Sequence, residues 1–269
     1  MNTQYSPMGF LTDTTLCIGC KACEVACKQW NQLPLDNLGL TGFSYDNTGD
    51  LGASTWRHVA FVERIADDEG RRPTSLRPFQ SNWLMLSDVC KHCANAGCLE
   101  ACPTGAIVRT EFGTVFIQPD VCNGCGYCVP ACPFGVPELS AVDHLAHKCT
   151  LCYDRQKDGL EPACAKACPT DSIQFGPVAE LRARARARVG ELRARGVAEA
   201  RVYGDEAEGG TGGIDGLNAM FILTARPEVY NLPSQPELPQ RKVLPAFLAT
   251  AGMAVALGAA AVLALRGQP

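Results

Sequence analysis

At 269 residues the chain has room for one large domain or two small ones, and its net charge of −4 with a pI near 5.6 argues against a nucleic-acid partner. Sixteen cysteines are far more than an apolar core uses, and all of them fall into four runs of four. The opening stretch MNTQYSPMGFLTDTT carries no basic region followed by a long apolar run. It reads as neither signal peptide nor membrane anchor, which removes the usual support for a secreted disulfide frame.

The first run, CIGCKACEVACKQW, holds Cys17, Cys20, Cys23 and Cys27. Residues 31–89 follow as a polar insert rich in Gly, Asn and Asp, with one strand expected in TWRHVAFVERI, where alternate residues share a face. The second run is Cys90, Cys93, Cys98 and Cys102, and AIVRT–EFG–TVFIQ after it predicts a hairpin. That hairpin delivers the chain into the third run, Cys122, Cys125, Cys128 and Cys132; the fourth is Cys149, Cys152, Cys164 and Cys168. CPTGAIVRT at 102–110 is echoed by CPTDSIQFG at 168–176. Ligand loop, short helix, Cys-Pro, hairpin and second ligand loop form the order of a two-cluster ferredoxin. Its repetition predicts an α+β fold, a duplicated bacterial-ferredoxin-like body over 1–177.

Beyond it, 178–196 predicts a surface helix with an apolar stripe of Leu181, Ala185, Val189 and Leu192 and a C-terminal Gly196. Its arginines at 182, 184, 186, 188, 193 and 195 read as a solvated face, with lipid head groups or a partner subunit as the alternative. GDEAEGGTGGIDG at 204–216 reads as a flexible connection, LNAMFILT as an apolar strand, and a proline-rich linker runs on to 242. Residues 243–265 hold no charge over 23 positions, which at about 1.5 Å per residue makes roughly 34 Å of helix, enough to cross a bilayer core of about 30 Å. One transmembrane helix is therefore expected, with Gly252, Ala256 and Ala260 as a small-residue face and 266–269 as a short tail.

Two of the runs, the first and third, follow C-x2-C-x2-C-x3-C without deviation; the second inserts two residues and the fourth stretches one gap to eleven. Zinc favours two distant C-x2-C pairs closing one tetrahedron, and a disulfide frame has no use for the repeated spacing. A 4Fe–4S cube fits: three cysteines wrap one cube while the last ligates its neighbour, and Pro after Cys102, Cys132 and Cys168 stops the short helix. Cross-ligation assigns cluster one to Cys17, Cys20, Cys23 and Cys168, and cluster two to Cys27, Cys149, Cys152 and Cys164. Cluster three takes Cys90, Cys93, Cys98 and Cys132, and cluster four takes Cys102, Cys122, Cys125 and Cys128. Four closely spaced cubes make a row for single electrons. Ile18, Val25, Ile107, Val121 and Ile173 are the candidate apolar shell, and Gly19, Gly97, Gly124 and Gly126 are places where backbone N–H can approach sulfur, or ordinary turns. His92, His144 and His147 read as ordinary hydrogen-bonded residues, with tuning of a potential or contact with a quinone as the alternative. Lys148 and Arg155 read equally as potential-raising cations or as surface residues. No catalytic constellation appears: the chain has no phosphate loop, no HExxH and no Gly-x-Ser-x-Gly.

CIGCKACEVACKQWN, CKHCANAGCLEACPTGAI, CNGCGYCVPACPFGVP and KCTLCYDR…EPACAKACPT resemble the iron–sulfur β subunits of membrane-bound respiratory formate dehydrogenases, from about residue 10 to the apolar tail. The wider resemblance is to the four-cluster subunits of molybdopterin oxidoreductases. It implies a non-catalytic subunit of anaerobic respiration. Its partners would be a molybdenum- or tungsten-pterin α subunit that oxidises formate and a membrane cytochrome b subunit that passes electrons to quinone. The nitrate-reductase type replaces one cysteine with Trp, whereas all sixteen positions here are Cys. The resemblance also implies export with the α subunit and an extracytoplasmic iron–sulfur domain, although the charges flanking the tail lean the other way. Relay in a hydrogenase or another molybdopterin reductase stays open, as does a free polyferredoxin, against which the apolar tail argues.

Overall fold

The computed structural model describes residues 6–36, 39, 45–46, 48–63, 83–205 and 214–266. In chain order the elements are β1 (Met8–Asp13), α1 (Ala22–Asn31), β2 (Arg57–Glu63), β3 (Trp83–Val89), α2 (Gly97–Glu100), β4 (Ile107–Arg109), β5 (Val115–Ile117), β6 (Glu138–Leu139) and β7 (Ala146–His147). They continue with α3 (Tyr153–Lys157), α4 (Ala163–Lys166), β8 (Ile173–Pro177), α5 (Val178–Ala194), β9 (Arg201–Tyr203), β10 (Ala219–Leu223) and α6 (Gln240–Arg266).

The element that ties the chain together is a sheet of order β8-β1-β10-β9. β1 pairs antiparallel with β8, Phe10 opposite Phe175, and parallel with β10, Phe10 opposite Ala219. All five residues of β10 are buried, which fits an inner strand covered on both faces. The period of two divides them. Met220 and Ile222 join Leu11 under α5, whereas Ala219, Phe221 and Leu223 join Phe10 and several cysteines on the other face. The strand expected in LNAMFILT is thus an inner strand of the sheet that holds the N-terminal residues. β1 itself is absent from the sequence reading, being short and directly followed by the first cysteine run.

Leu181, Ala185, Val189 and Leu192 are all buried, so the predicted stripe is the face of α5 that meets the sheet. Gly196 follows the last turn with φ 93°, the left-handed conformation that ends a helix, and its N–H bonds to the Arg193 carbonyl. The arginine face differs from its solvated reading. Arg186 grips the buried Asp205 with Nε and Nη2 at 2.5 and 2.9 Å, and Arg182 stands 3.6 Å from the same carboxylate. Arg188 reaches the buried Asp13 at 2.9 Å. These carboxylates sit at strand ends under the helix, and the arginines give them the partners that burial demands.

Elsewhere β2 and β3 form a seven-residue antiparallel ladder within the insert, and β4–β5 form the predicted hairpin, Ile107 opposite Ile117. Most of the remaining insert (64–82) and of the 204–216 connection (206–213) lie outside the described residues. α6 is long and apolar enough to cross a membrane, and none of its span from Gln240 to Leu263 is buried against the rest of the chain. Its root is fixed to the body: the buried Leu238 precedes it, and Gln240 Nε2 donates to the Gly97 carbonyl at 2.8 Å.

Leu192 is fully buried between α5 and the sheet. Leu192→Ala is expected to destabilise the chain by about 2–5 kcal/mol, lowering its thermal unfolding midpoint by several degrees; an unchanged midpoint would contradict this packing.

Candidate metal centres

The structure gathers the sixteen thiols into four groups, none of them joined as a disulfide. Cys17, Cys20, Cys23 and Cys168 line one hollow. Cys90, Cys93, Cys98 and Cys132 line a second. Cys27 lies close enough to Cys164, Cys149 and Cys152 for their charges to interact, and Cys128 does the same with Cys122, Cys125 and Cys102. Among the described residues no three His, Cys, Asp or Glu are grouped to hold a single metal ion.

The groups form a row. Cys23 interacts with Cys164, Cys149 with Cys90, and Cys98 with Cys128. The order is therefore Cys17/20/23/168, then Cys27/149/152/164, then Cys90/93/98/132, then Cys102/122/125/128. The second group is buried throughout, whereas each end of the row carries one exposed cysteine, Cys20 and Cys125.

Each C-x-x-C turn is made the same way. Its second intervening residue has a left-handed backbone: Gly19 (φ 66°), His92 (φ 42°), Gly124 (φ 70°) and Leu151 (φ 54°). This geometry turns backbone N–H toward sulfur, as Leu151 N–H does to Cys149 Sγ at 3.3 Å. At Gly124 a side chain has no room either, since a Cβ would collide with the His144 carbonyl oxygen. The repeated Cys-Pro-Thr segments serve the last cysteine of their runs. Cys102 receives hydrogen bonds from the Thr104 hydroxyl and the N–H groups of Ile107, Thr104 and Ala106; Cys168 receives the equivalent set from Thr170, Ser172 and Ile173. Burial, the largest single influence on each, raises both thiols, and the hydrogen bonds together outweigh it and lower them.

Deeper thiols behave oppositely. Burial pushes Cys23 and Cys98 up to about 12, and Cys128 and Cys152 up to about 11. Without iron they stay protonated at neutral pH, and ligation releases those protons. Buried cations stand among them. Arg57 is almost wholly enclosed, its Nη2 donating to Cys164 Sγ at 3.4 Å and its Nη1 to the Ser87 carbonyl at 3.1 Å, with the guanidinium 4.7 Å from the centre of the Phe10 ring. Lys148 is buried and donates to the carbonyls of Val115 and Cys149. Positive charge so far from water requires a negative counterpart, and a thiolate-ligated cluster supplies one. The donor set, the hollows and the buried cations together fit iron–sulfur clusters.

Several neighbours stand differently from the sequence reading. Ile107 and Ile173 are buried in the shell, but Ile18, Val25 and Val121 are exposed at 59, 66 and 44 %. Ile18 and Val121 lie on the outer side of ligand loops and Val25 on the outer face of α1, so these side chains point out. Lys148 is an interior residue. Arg155 is a surface one, stacked 4.3 Å from the Trp30 ring centre. His147 pairs with Asp143 at 2.8 Å and His144 is exposed. His92 is buried, and its enclosure, with Lys148 and Arg109 nearby, holds the imidazole well below its ordinary range and hence neutral. Sequence reasoning missed Arg57; its only signal was an arginine just ahead of the apolar run VAFV of β2.

A body that brings cysteine quartets into a row and surrounds them with cations and N–H donors belongs to the ferredoxin-type proteins that bind 4Fe–4S clusters and transfer electrons. A family profile described as a 4Fe–4S dicluster domain matches residues 81–178, and one described as a 4Fe–4S binding domain matches 14–30. The chain is 42 % identical over 232 residues to the iron–sulfur subunit of the nitrate-inducible formate dehydrogenase of Escherichia coli strain K12, covering 85 % of this chain and 73 % of that one. It is 41 % identical over 233 residues to the formate dehydrogenase iron–sulfur subunit of Haemophilus influenzae, covering 85 % and 69 %. To one component of the anaerobic dimethyl sulfoxide reductase of E. coli it is 35 % identical over 182 residues, covering 68 % and 78 %. The chain belongs to the family of formate dehydrogenase iron–sulfur subunits, electron-transfer rather than catalytic components of their complexes.

Gly124→Ala places a Cβ against the His144 carbonyl in a left-handed turn. It is expected to abolish the centre at Cys122, Cys125 and Cys128, lowering the iron content by about four atoms per chain; iron analysis showing the full complement would contradict the built turn.

Proposed function

We propose that this chain relays electrons from a molybdenum- or tungsten-pterin subunit that oxidises formate to a membrane cytochrome b and on to quinone. In this reading four 4Fe–4S clusters are held by the quartets in row order, Cys17/20/23/168 first and Cys102/122/125/128 last. The clusters supply one-electron oxidation and reduction. The protein spaces the quartets, buries the second one throughout, and sets charge and hydrogen bonds around each. The formate assignment rests on the long similarity to formate dehydrogenase subunits.

The direction of the relay follows from the ends of the row. α6 is rooted through Gln240 on Gly97, next to Cys98 of the third quartet, which supports reading the end of the row beyond it as the membrane side. Around the fourth quartet Val121, Tyr127, Leu139 and Val142 are exposed, a surface for the membrane partner. At the other end Ile18 and Val25, both exposed, belong to the first run with the exposed Cys20, where the catalytic subunit docks. The chain is a single-pass membrane protein in this reading. Its cluster body is extracytoplasmic, by its resemblance to respiratory formate dehydrogenases.

The test is purification in mild detergent through a tag on this chain, with formate-dependent dye reduction, iron and molybdenum or tungsten measured on one sample. Formate activity with about sixteen irons on this chain beyond the partner's own is expected. An iron-loaded complex inert to formate but active with a sulfoxide would move the chain to the reductase branch.

A further inference from the structure

Three of the four left-handed C-x-x-C positions need nothing beyond the turn itself: Gly19 and Gly124 have no side chain, and Leu151 packs wholly inside the core. His92 is the exception. A β-carbon makes the left-handed backbone unfavourable, and here it places an imidazole against the hollow lined by Cys90, Cys93, Cys98 and Cys132. The ring's tautomer follows from its hydrogen bond. Val115 N–H donates to Nδ1 at 3.2 Å, so the single proton of the neutral ring is assigned to Nε2. Nε2 is buried and has no hydrogen-bond partner among the described residues. A buried N–H seldom goes without an acceptor. The other side chains lining this hollow are lysines, which only donate, apolar groups and the four cysteines, so the side-chain acceptors there are sulfur.

We infer that His92 donates a hydrogen bond from Nε2–H to sulfur of the cluster held by Cys90, Cys93, Cys98 and Cys132, and thereby raises that cluster's potential. A donor aimed at sulfur favours the reduced, more negative state. The hairpin strand β5 fixes the arrangement from both sides: Val115 N–H holds the imidazole while its carbonyl takes the Lys148 ammonium. The donor is therefore orientated by backbone and does not depend on bulk water. The third cluster, deep in the row and next to the root of α6, is held higher in potential than its thiols alone would set it. The inference rests on the proposed assignment of that quartet.

The test uses the intact detergent-purified complex, grown with isotopically labelled histidine, and pulsed EPR of the reduced clusters. Histidine nitrogen coupling is expected on one cluster signal. His92→Leu is sterically preceded by Leu151 at the equivalent position. It is expected to remove that coupling and to cut the reduced-to-oxidised ratio of this cluster about tenfold at fixed potential, about 59 mV for one electron. His92→Gln, which offers an N–H again, is expected to restore part of the shift, and the other clusters stay where they were. No histidine coupling in the wild-type complex would overturn the inference and point to a buried water as the partner of Nε2. So would an unchanged potential in His92→Leu with the cluster present. If His92→Leu fails to assemble, the wild-type coupling and His92→Gln decide. Absence of every 4Fe–4S signal from the wild-type complex would instead take down the cluster reading itself.

Discussion

Everything in this chain depends on taking thiolates out of water. A row of cysteine quartets concentrates negative charge in a small body, and burial alone opposes that charge, as the raised thiols of Cys23 and Cys98 show. The fold answers with iron-ligand geometry, with N–H groups and with cations. The Cys-Pro-Thr segments wrap backbone donors around Cys102 and Cys168. Arg57 stands beside Cys164 of the second quartet and interacts with Cys23 of the first, and Lys148 faces the third. Arginine suits its place because it stays charged when buried and can donate in several directions at once.

The sheet serves the same end from outside. β1 follows the N-terminus directly into the first ligand run, β8 leaves the last, and β10 returns from far along the chain to lie beside β1. Pairing the two flanks of the cysteine body closes the first and fourth runs on each other, so that Cys17 and Cys168 meet. α5 seals the opposite face of that sheet, its arginines anchored on Asp13 and Asp205. α6 extends free of the body, with an apolar exterior suited to lipid.

Much of this is legible in the sequence, because ligand spacing is local. C-x2-C-x2-C-x3-C marks its thiols as 4Fe–4S ligands, the turn in AIVRT–EFG–TVFIQ states a hairpin, and the stripe from Leu181 to Leu192 states a packed helix face. What could not be read depends on partners distant in sequence. β1 and β3 acquire their identity from the strands they pair with, Ile18 and Val25 look like core residues but lie on the outer faces of a ligand loop and of α1, and the α5 arginines look solvated until the acids beneath them are placed. His92, Arg57 and Lys148 are residue types that ordinarily face water. Only the arrangement of thiols around them explains why these three do not.

The central claim is that the four quartets each hold one 4Fe–4S cluster and stand close enough to act as one row. Low-temperature EPR of the fully reduced complex, integrated per chain, tests it most directly. About four spins on this chain, broadened by magnetic coupling between neighbouring clusters, is the predicted result. Fewer spins, or narrow signals from clusters that do not sense one another, would contradict the row.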